Sequence, residues 1–197
     1  MLFDLGDIVM RVLRARDYVT RPWKNGGGTT REIVMFPEGS NYDTFEWLVS
    51  AAHVGRDGPF SNFPGVDRSM VILSGTAMAL HGLGSAPVVL TPVTAAYAFP
   101  GDVPVTATLT DGPVEDLNLM TRRAIFAHSM LRVALTQPVA VLARGVTVVL
   151  SERGAVRAKT SADSVVMDAG DTMICDRDVV LSGDAGSQAI VMQVWGR

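Results

Sequence analysis

Apolar residues in this chain come in short runs, many alternating with polar positions, and Gly, Pro or Asp cuts most of them off. A period of two belongs to strands, whose successive side chains point to opposite faces. The pattern predicts strands at residues 30–35, 46–54, 69–74, 77–81, 88–90, 96–98 and 105–109. It continues at 129–134, 139–143, 147–150, 155–158, 165–168, 172–175, 179–182 and 188–193. Spacing of roughly 8–12 residues between short strands is the signature of an all-β sandwich or barrel. Residues 114–123 hold a single helical turn at most, and no long amphipathic helix is predicted.

A weak internal repeat suggests duplication. Ala98-Phe99-Pro100-Gly101-Asp102-Val103-Pro104-Val105 resembles Met167-Asp168-Ala169-Gly170-Asp171-Thr172-Met173-Ile174, each with Gly-Asp between apolar runs. The expected organisation is a first barrel at 12–125 and a second at 126–197, with the N-terminal strand crossing over to the second sheet.

Composition narrows the classes. The chain has 197 residues, 48% of them hydrophobic and 19% charged, which supports a sizeable core. A net charge of -3 argues against a nucleic-acid partner held by bulk electrostatics. Cys175 stands alone, so no intrachain disulfide or cysteine-based zinc site forms, which fits a reducing cytoplasm. No apolar stretch is long enough to span a membrane, and the first ten residues, with Asp4 and Asp7, lack a secretory pattern. The reading is a cytoplasmic protein with neither membrane nor nucleic acid as partner. Exposed strand edges permit pairing with a second copy, a homodimer.

Three blocks carry candidate chemistry. The first is Pro22-Trp23-Lys24-Asn25-Gly26-Gly27-Gly28-Thr29-Thr30-Arg31-Glu32. Asn25-Gly26 is a turn signal, and three glycines imply a tight path or a close approach. Alternation after them puts Thr30 and Glu32 on one face and Arg31 on the other. The second block is Asp57-Gly58-Pro59-Phe60-Ser61-Asn62-Phe63-Pro64-Gly65-Val66-Asp67-Arg68. Its prolines stiffen a loop of aromatics and charges. Phe60 and Phe63 there either plug a barrel mouth or face a ligand, and Arg68 either pairs with Asp67 or Asp57 or meets an anion. The third block, Asp111 to Arg123, places Asp116, Asn118, Met120 and Arg122 on one face. Arginine offers a planar fork suited to carboxylates.

Familiar catalytic sets are missing. His53, His81 and His128 lack His-x-His spacing, no serine sits in a Gly-x-Ser-x-Gly elbow, and the glycine run lacks a phosphate-loop ending. The residues therefore predict no metal and no cofactor.

Together the three blocks resemble the HutD/Ves family of bacterial proteins, over roughly residues 12–125. The resemblance implies an all-β, double-stranded β-helix of the cupin (RmlC-like jelly roll) type in a two-barrel, bicupin arrangement. It also implies a link to histidine utilisation, with a small anionic metabolite such as N-formylglutamate or formiminoglutamate as partner. Cupins hold a metal with three histidines and a glutamate; Arg68 and Asn118 stand here where such ligands are expected. The candidate ligand-binding residues are Trp23, Lys24, Asn25, Arg31, Glu32, Ser50, Phe60, Ser61, Arg68, Asn118, Met120 and Arg122. Lys24, Asn25 and Arg31 are expected near the rim, with Glu32 facing inward. An enzymatic alternative assigns acid–base roles to Glu32, Asp57 and Asp67.

Overall fold

A computed structural model describes residues 10–23 and 26–197. In chain order its strands are β1 (Arg11–Leu13), β2 (Val19–Pro22), β3 (Gly28–Phe36), β4 (Trp47–Val54), β5 (Gly58–Pro59), β6 (Val66–Ser74), β7 (Ala77–His81), β8 (Val88–Leu90), β9 (Tyr97–Pro100) and β10 (Thr106–Thr110). They continue as β11 (Val114–Arg122), β12 (Phe126–Ala134), β13 (Val139–Val141), β14 (Val146–Arg153), β15 (Val156–Lys159), β16 (Ser164–Met167), β17 (Thr172–Cys175), β18 (Val179–Gly183) and β19 (Gln188–Gly196). Helix among the described residues is confined to one 3₁₀ turn, Ala15–Asp17. No helix among them is long and apolar enough to cross a membrane.

The chain divides into two units. Val19–Phe126 carries a sheet ordered β2-β3-β4-β11-β6-β9 and a second ordered β5-β10-β7-β8. The other unit joins the segment ending at Tyr18 to Ala127–Arg197, with sheets ordered β1-β17-β14-β19-β12 and β13-β18-β15-β16. Adding eight to each strand number maps β4-β11-β6-β9 onto β12-β19-β14-β17 and β5-β10-β7-β8 onto β13-β18-β15-β16. The fold is thus a duplicated, cupin-like jelly roll, all-β throughout. β1 pairs antiparallel with β17, Val12 opposite Met173.

The duplication lies in strand order and not in the Gly-Asp signal. Gly101-Asp102 turns between β9 and β10, whereas Gly170-Asp171 turns between β16 and β17. The two pairs share turn chemistry at non-equivalent places. Residues 114–123 form no helical turn either: Val114–Arg122 is a central strand paired with both β4 and β6. Its apolar residues alternate with groups that face a cavity, and that spacing defeats a helical reading.

Each unit has its own core. In Val19–Phe126 the cluster includes Ala52, Met70, Ile72, Met78, Leu80 and Phe99. In the other it includes Val149, Met167, Met173, Leu181, Ala189 and Val191. One glycine of the triple run is required by space: a Cβ on Gly28 would stand 2.1 Å from the His53 carbonyl oxygen and 3.1 Å from the Trp23 ring. The run therefore closes the β2–β3 hairpin and lets β3 lie tightly against β4.

Candidate functional site

The Val19–Phe126 unit encloses a cavity of about 560 Å³. Its floor comes from the period-two pattern of adjacent strands. β11 sends Asp116, Asn118 and Met120 inward, β4 sends Ser50 and Ala52, β6 sends Arg68, and β3 sends Thr30. Ladder pairing sets Asn118 opposite Ser50, Asp116 opposite Ala52, and Met120 opposite Arg68. Arg68 and Asn118 are then diagonal neighbours, within reach of long side chains. Pro59 at the end of β5 and the loop residues Phe60, Ser61 and Phe63 form one wall, and Arg21, Pro22, Trp23 and Tyr42 form another.

The floor is a hydrogen-bonded relay. An Arg68 guanidinium nitrogen donates to Asn118 Oδ1 at 2.7 Å, and Asn118 Nδ2 donates to an Asp116 carboxylate oxygen. All three are nearly out of solvent, at 7%, 4% and 1% exposure. Buried charges normally need full pairing. Here an amide separates cation from carboxylate, and among the described residues Arg68 Nε has no hydrogen-bond partner. Three rings surround the guanidinium, those of Phe60, Phe99 and Phe63, with centroids at 4.9, 5.2 and 6.0 Å. Cation–π contact offsets part of the desolvation.

Burial disfavours ionisation and pushes Asp116 up to about 7; Arg68 and the Asn118 bond oppose this, and Glu115 adds to it. Burial also pulls Arg68 down to about 10, against the attraction of Asp116. At the rim the Trp23 indole N–H donates to Thr30 Oγ1 at 2.7 Å. The Glu32 carboxylate accepts from Arg21 at 3.1 Å. Burial raises Tyr42, and neighbouring Glu32 raises it further.

The structure thus gathers Trp23, Ser50, Phe60, Ser61, Arg68, Asn118 and Met120 from the sequence candidates around one cavity. Phe60 and Phe63 line it and flank Arg68. Lys24 and Asn25 lie outside the described residues. Other candidates stand elsewhere. Arg122 donates to three backbone carbonyls, those of Phe45, Pro64 and Asp43, at 3.0, 3.2 and 2.7 Å. It shares a face with Asn118 but lies at the strand end, where it ties down loops. Arg31 points to the opposite face of β3 and pairs with Glu115 at 3.3 Å. Glu32 stays at the rim with Arg21 and does not line the cavity.

The three acid–base candidates are engaged outside the cavity. Asp57 accepts the Leu109 backbone N–H at 2.8 Å, and Asp67 pairs with Arg123 at 2.6 Å. Neither neutralises Arg68. The carboxylate that does face the cavity is Asp116, two positions from Asn118 on the same strand face. Alternation from Asn118 points to it; no comparable signal marks Arg21 or Tyr42. The donor set does not fit a cupin metal: it offers one carboxylate and no imidazole, beside a guanidinium. Among the described residues, no three His, Cys, Asp or Glu side chains cluster as ligands.

Comparison with known proteins places this geometry in context. A family model described as HutD matches residues 15–191. Over 111 residues the chain is 40% identical to an uncharacterized 21.2 kDa protein in the hutC 3′ region of Pseudomonas putida, covering 56% of this chain and 57% of that one. It is 41% identical over 102 residues to Protein Ves of Citrobacter koseri, covering 51% and 52% of the two. The chain spans about half the length of the curated relatives it matches. The structure of HutD from Pseudomonas fluorescens SBW25, in a formate condition, is 29% identical, with a TM-score of 0.81 over 96% of this chain and 100% of that one.

Proposed function

Because this chain belongs to the HutD family, we propose that its cavity binds a small anionic metabolite without a metal, and that the protein acts as a sensor or regulator in histidine catabolism. The observation that carries the binding reading is Arg68: a cation at 7% exposure, with Nε unpartnered among the described residues, in the floor of the cavity. A buried donor left unmade costs free energy, and an anion that accepts from it recovers that cost. The volume suits a molecule of metabolite size. The Pseudomonas putida relative in the hutC 3′ region supports the metabolic setting. N-formylglutamate and formiminoglutamate combine carboxylates with a planar nitrogen-bearing group, matching Arg68 at one point and Asn118 with Ser50 at another.

Calorimetric titration and thermal shift with N-formylglutamate, formiminoglutamate, urocanate and glutamate test the reading. At least one is expected to bind, and Arg68→Met, which keeps the packing between the rings, is expected to weaken it on the order of a hundredfold. No heat and no shift with any of the four would sink the ligand class. One observation supports a second reading, an enzyme acting on the same compounds. Asp116, held near neutrality in the cavity, is a better acid–base candidate than Glu32, Asp57 or Asp67. Turnover lost in Asp116→Asn while binding persists would favour it.

A further inference from the structure

Arg68 explains an anion but leaves the other end of the relay unassigned. Asp116 lines the same cavity at 1% exposure, and among the described residues its hydrogen-bond partner is the Asn118 amide alone. A carboxylate has room for several donors. An anion entering beside Arg68 would sit in the same low-dielectric space as an ionised Asp116, and two negative charges against one positive is an unfavourable count. A ligand that brings its own cation balances both.

Resting on the binding reading above, we propose that Asp116 is the specificity-determining residue of the cavity, selecting dipolar ligands that set a carboxylate against Arg68 and a planar cationic N–H group, an amidinium or imidazolium, against Asp116. Asn118 keeps the two subsites apart, its oxygen turned to the cation and its nitrogen to the carboxylate. Simple anions fill only the first subsite and must bring a proton for Asp116.

The other charged groups around Asp116 leave it this role. Arg68 from β6 faces it through Asn118, and Arg21 from β2 lines the same cavity but bonds Glu32. Glu115, next in the chain, pairs with Arg31 of β3. On β4, Ser50 and Ala52 carry no charge, and His53 stands opposite Glu115 in the ladder. Tyr42 also lines the cavity, in contact with Thr30 and Glu32.

Two probes share a skeleton and differ at one atom. Formiminoglutamate carries an amidinium nitrogen where N-formylglutamate carries a carbonyl oxygen. At about pH 8, with Asp116 ionised, the amidinium compound is expected to bind on the order of tenfold or more tighter. The ratio should shrink toward about pH 6 as Asp116 takes up a proton. In Asp116→Asn, whose amide can still accept from Asn118, the two probes should bind within about threefold of each other at both pH values. Equal binding by the wild type, or a ratio that survives in Asp116→Asn, overturns the proposal. If both probes bind equally and both are lost in Arg68→Met, this inference alone fails; if neither binds the wild type, the binding reading fails with it. A melt of Asp116→Asn checks that the variant is folded.

Discussion

The two jelly rolls share a strand order and differ in what they point inward. β19 contributes Ala189 and Val191 to a packed core, alongside Val149 from β14. Its counterpart β11 contributes Asp116, Asn118 and Met120 to a cavity, with Arg68 from β6. The backbone plan is the same, so a few inward positions decide whether a unit is filled or hollow. The filled unit's inward cluster is apolar and gains dispersion and hydrophobic burial. The hollow one holds a cation and a carboxylate at under a tenth exposure, an arrangement that costs stability. Duplication lets one copy supply packing while the other departs from it.

The largest effect expected to sharpen this contrast is Leu181→Ala. It opens the packed core and should cost about 2–5 kcal/mol in denaturant unfolding while leaving ligand affinity in the folded protein unchanged. An equal loss of affinity would break the division of labour. Next comes the pH dependence of the hollow unit. Asp116 holds its proton more tightly folded than unfolded, its value rising from 3.8 to about 7. Across that window the folded state keeps a proton that the unfolded state has lost, so stability from the protonated group is full at the acid end and is lost as pH rises through it. Asp116→Asn should flatten this fall, by about 1–4 kcal/mol over the window, in melts taken from acid to neutral pH. A slope identical to wild type would show that Asp116 titrates normally. Smallest is Arg31→Ala, which removes a half-exposed pair with Glu115 on the face away from the cavity. Stability should move by less than about 1 kcal/mol and calorimetric affinity not at all; a binding defect would return Arg31 to the site.

Particular residues show how far the sequence could be read. Strand positions followed from period-two alternation bounded by turn residues. The convergence of Trp23, Phe60, Arg68 and Asn118 followed from three blocks that share one family pattern. Alternation names a face but not how far along it a cavity extends. Arg122 has the parity of Asn118 yet sits beyond the floor, where it meets the carbonyls of Asp43, Phe45 and Pro64. Tyr42 and Arg21 reach the rim from a loop and an edge strand, whose placement no periodicity fixes. Segment 114–123 misled because its pairing with β4 and β6 is a long-range fact that local pattern does not show.

The rings around Arg68 bear on how fast a ligand exchanges. Phe60, Phe63 and Phe99 neutralise part of the guanidinium charge through their faces and accept no directed bond from its nitrogens. A salt-bridging carboxylate in their place would have to be levered off before each arrival and re-seated after each departure. Aromatic support leaves no such incumbent, so an anion reaching Arg68 would break no ion pair on arrival.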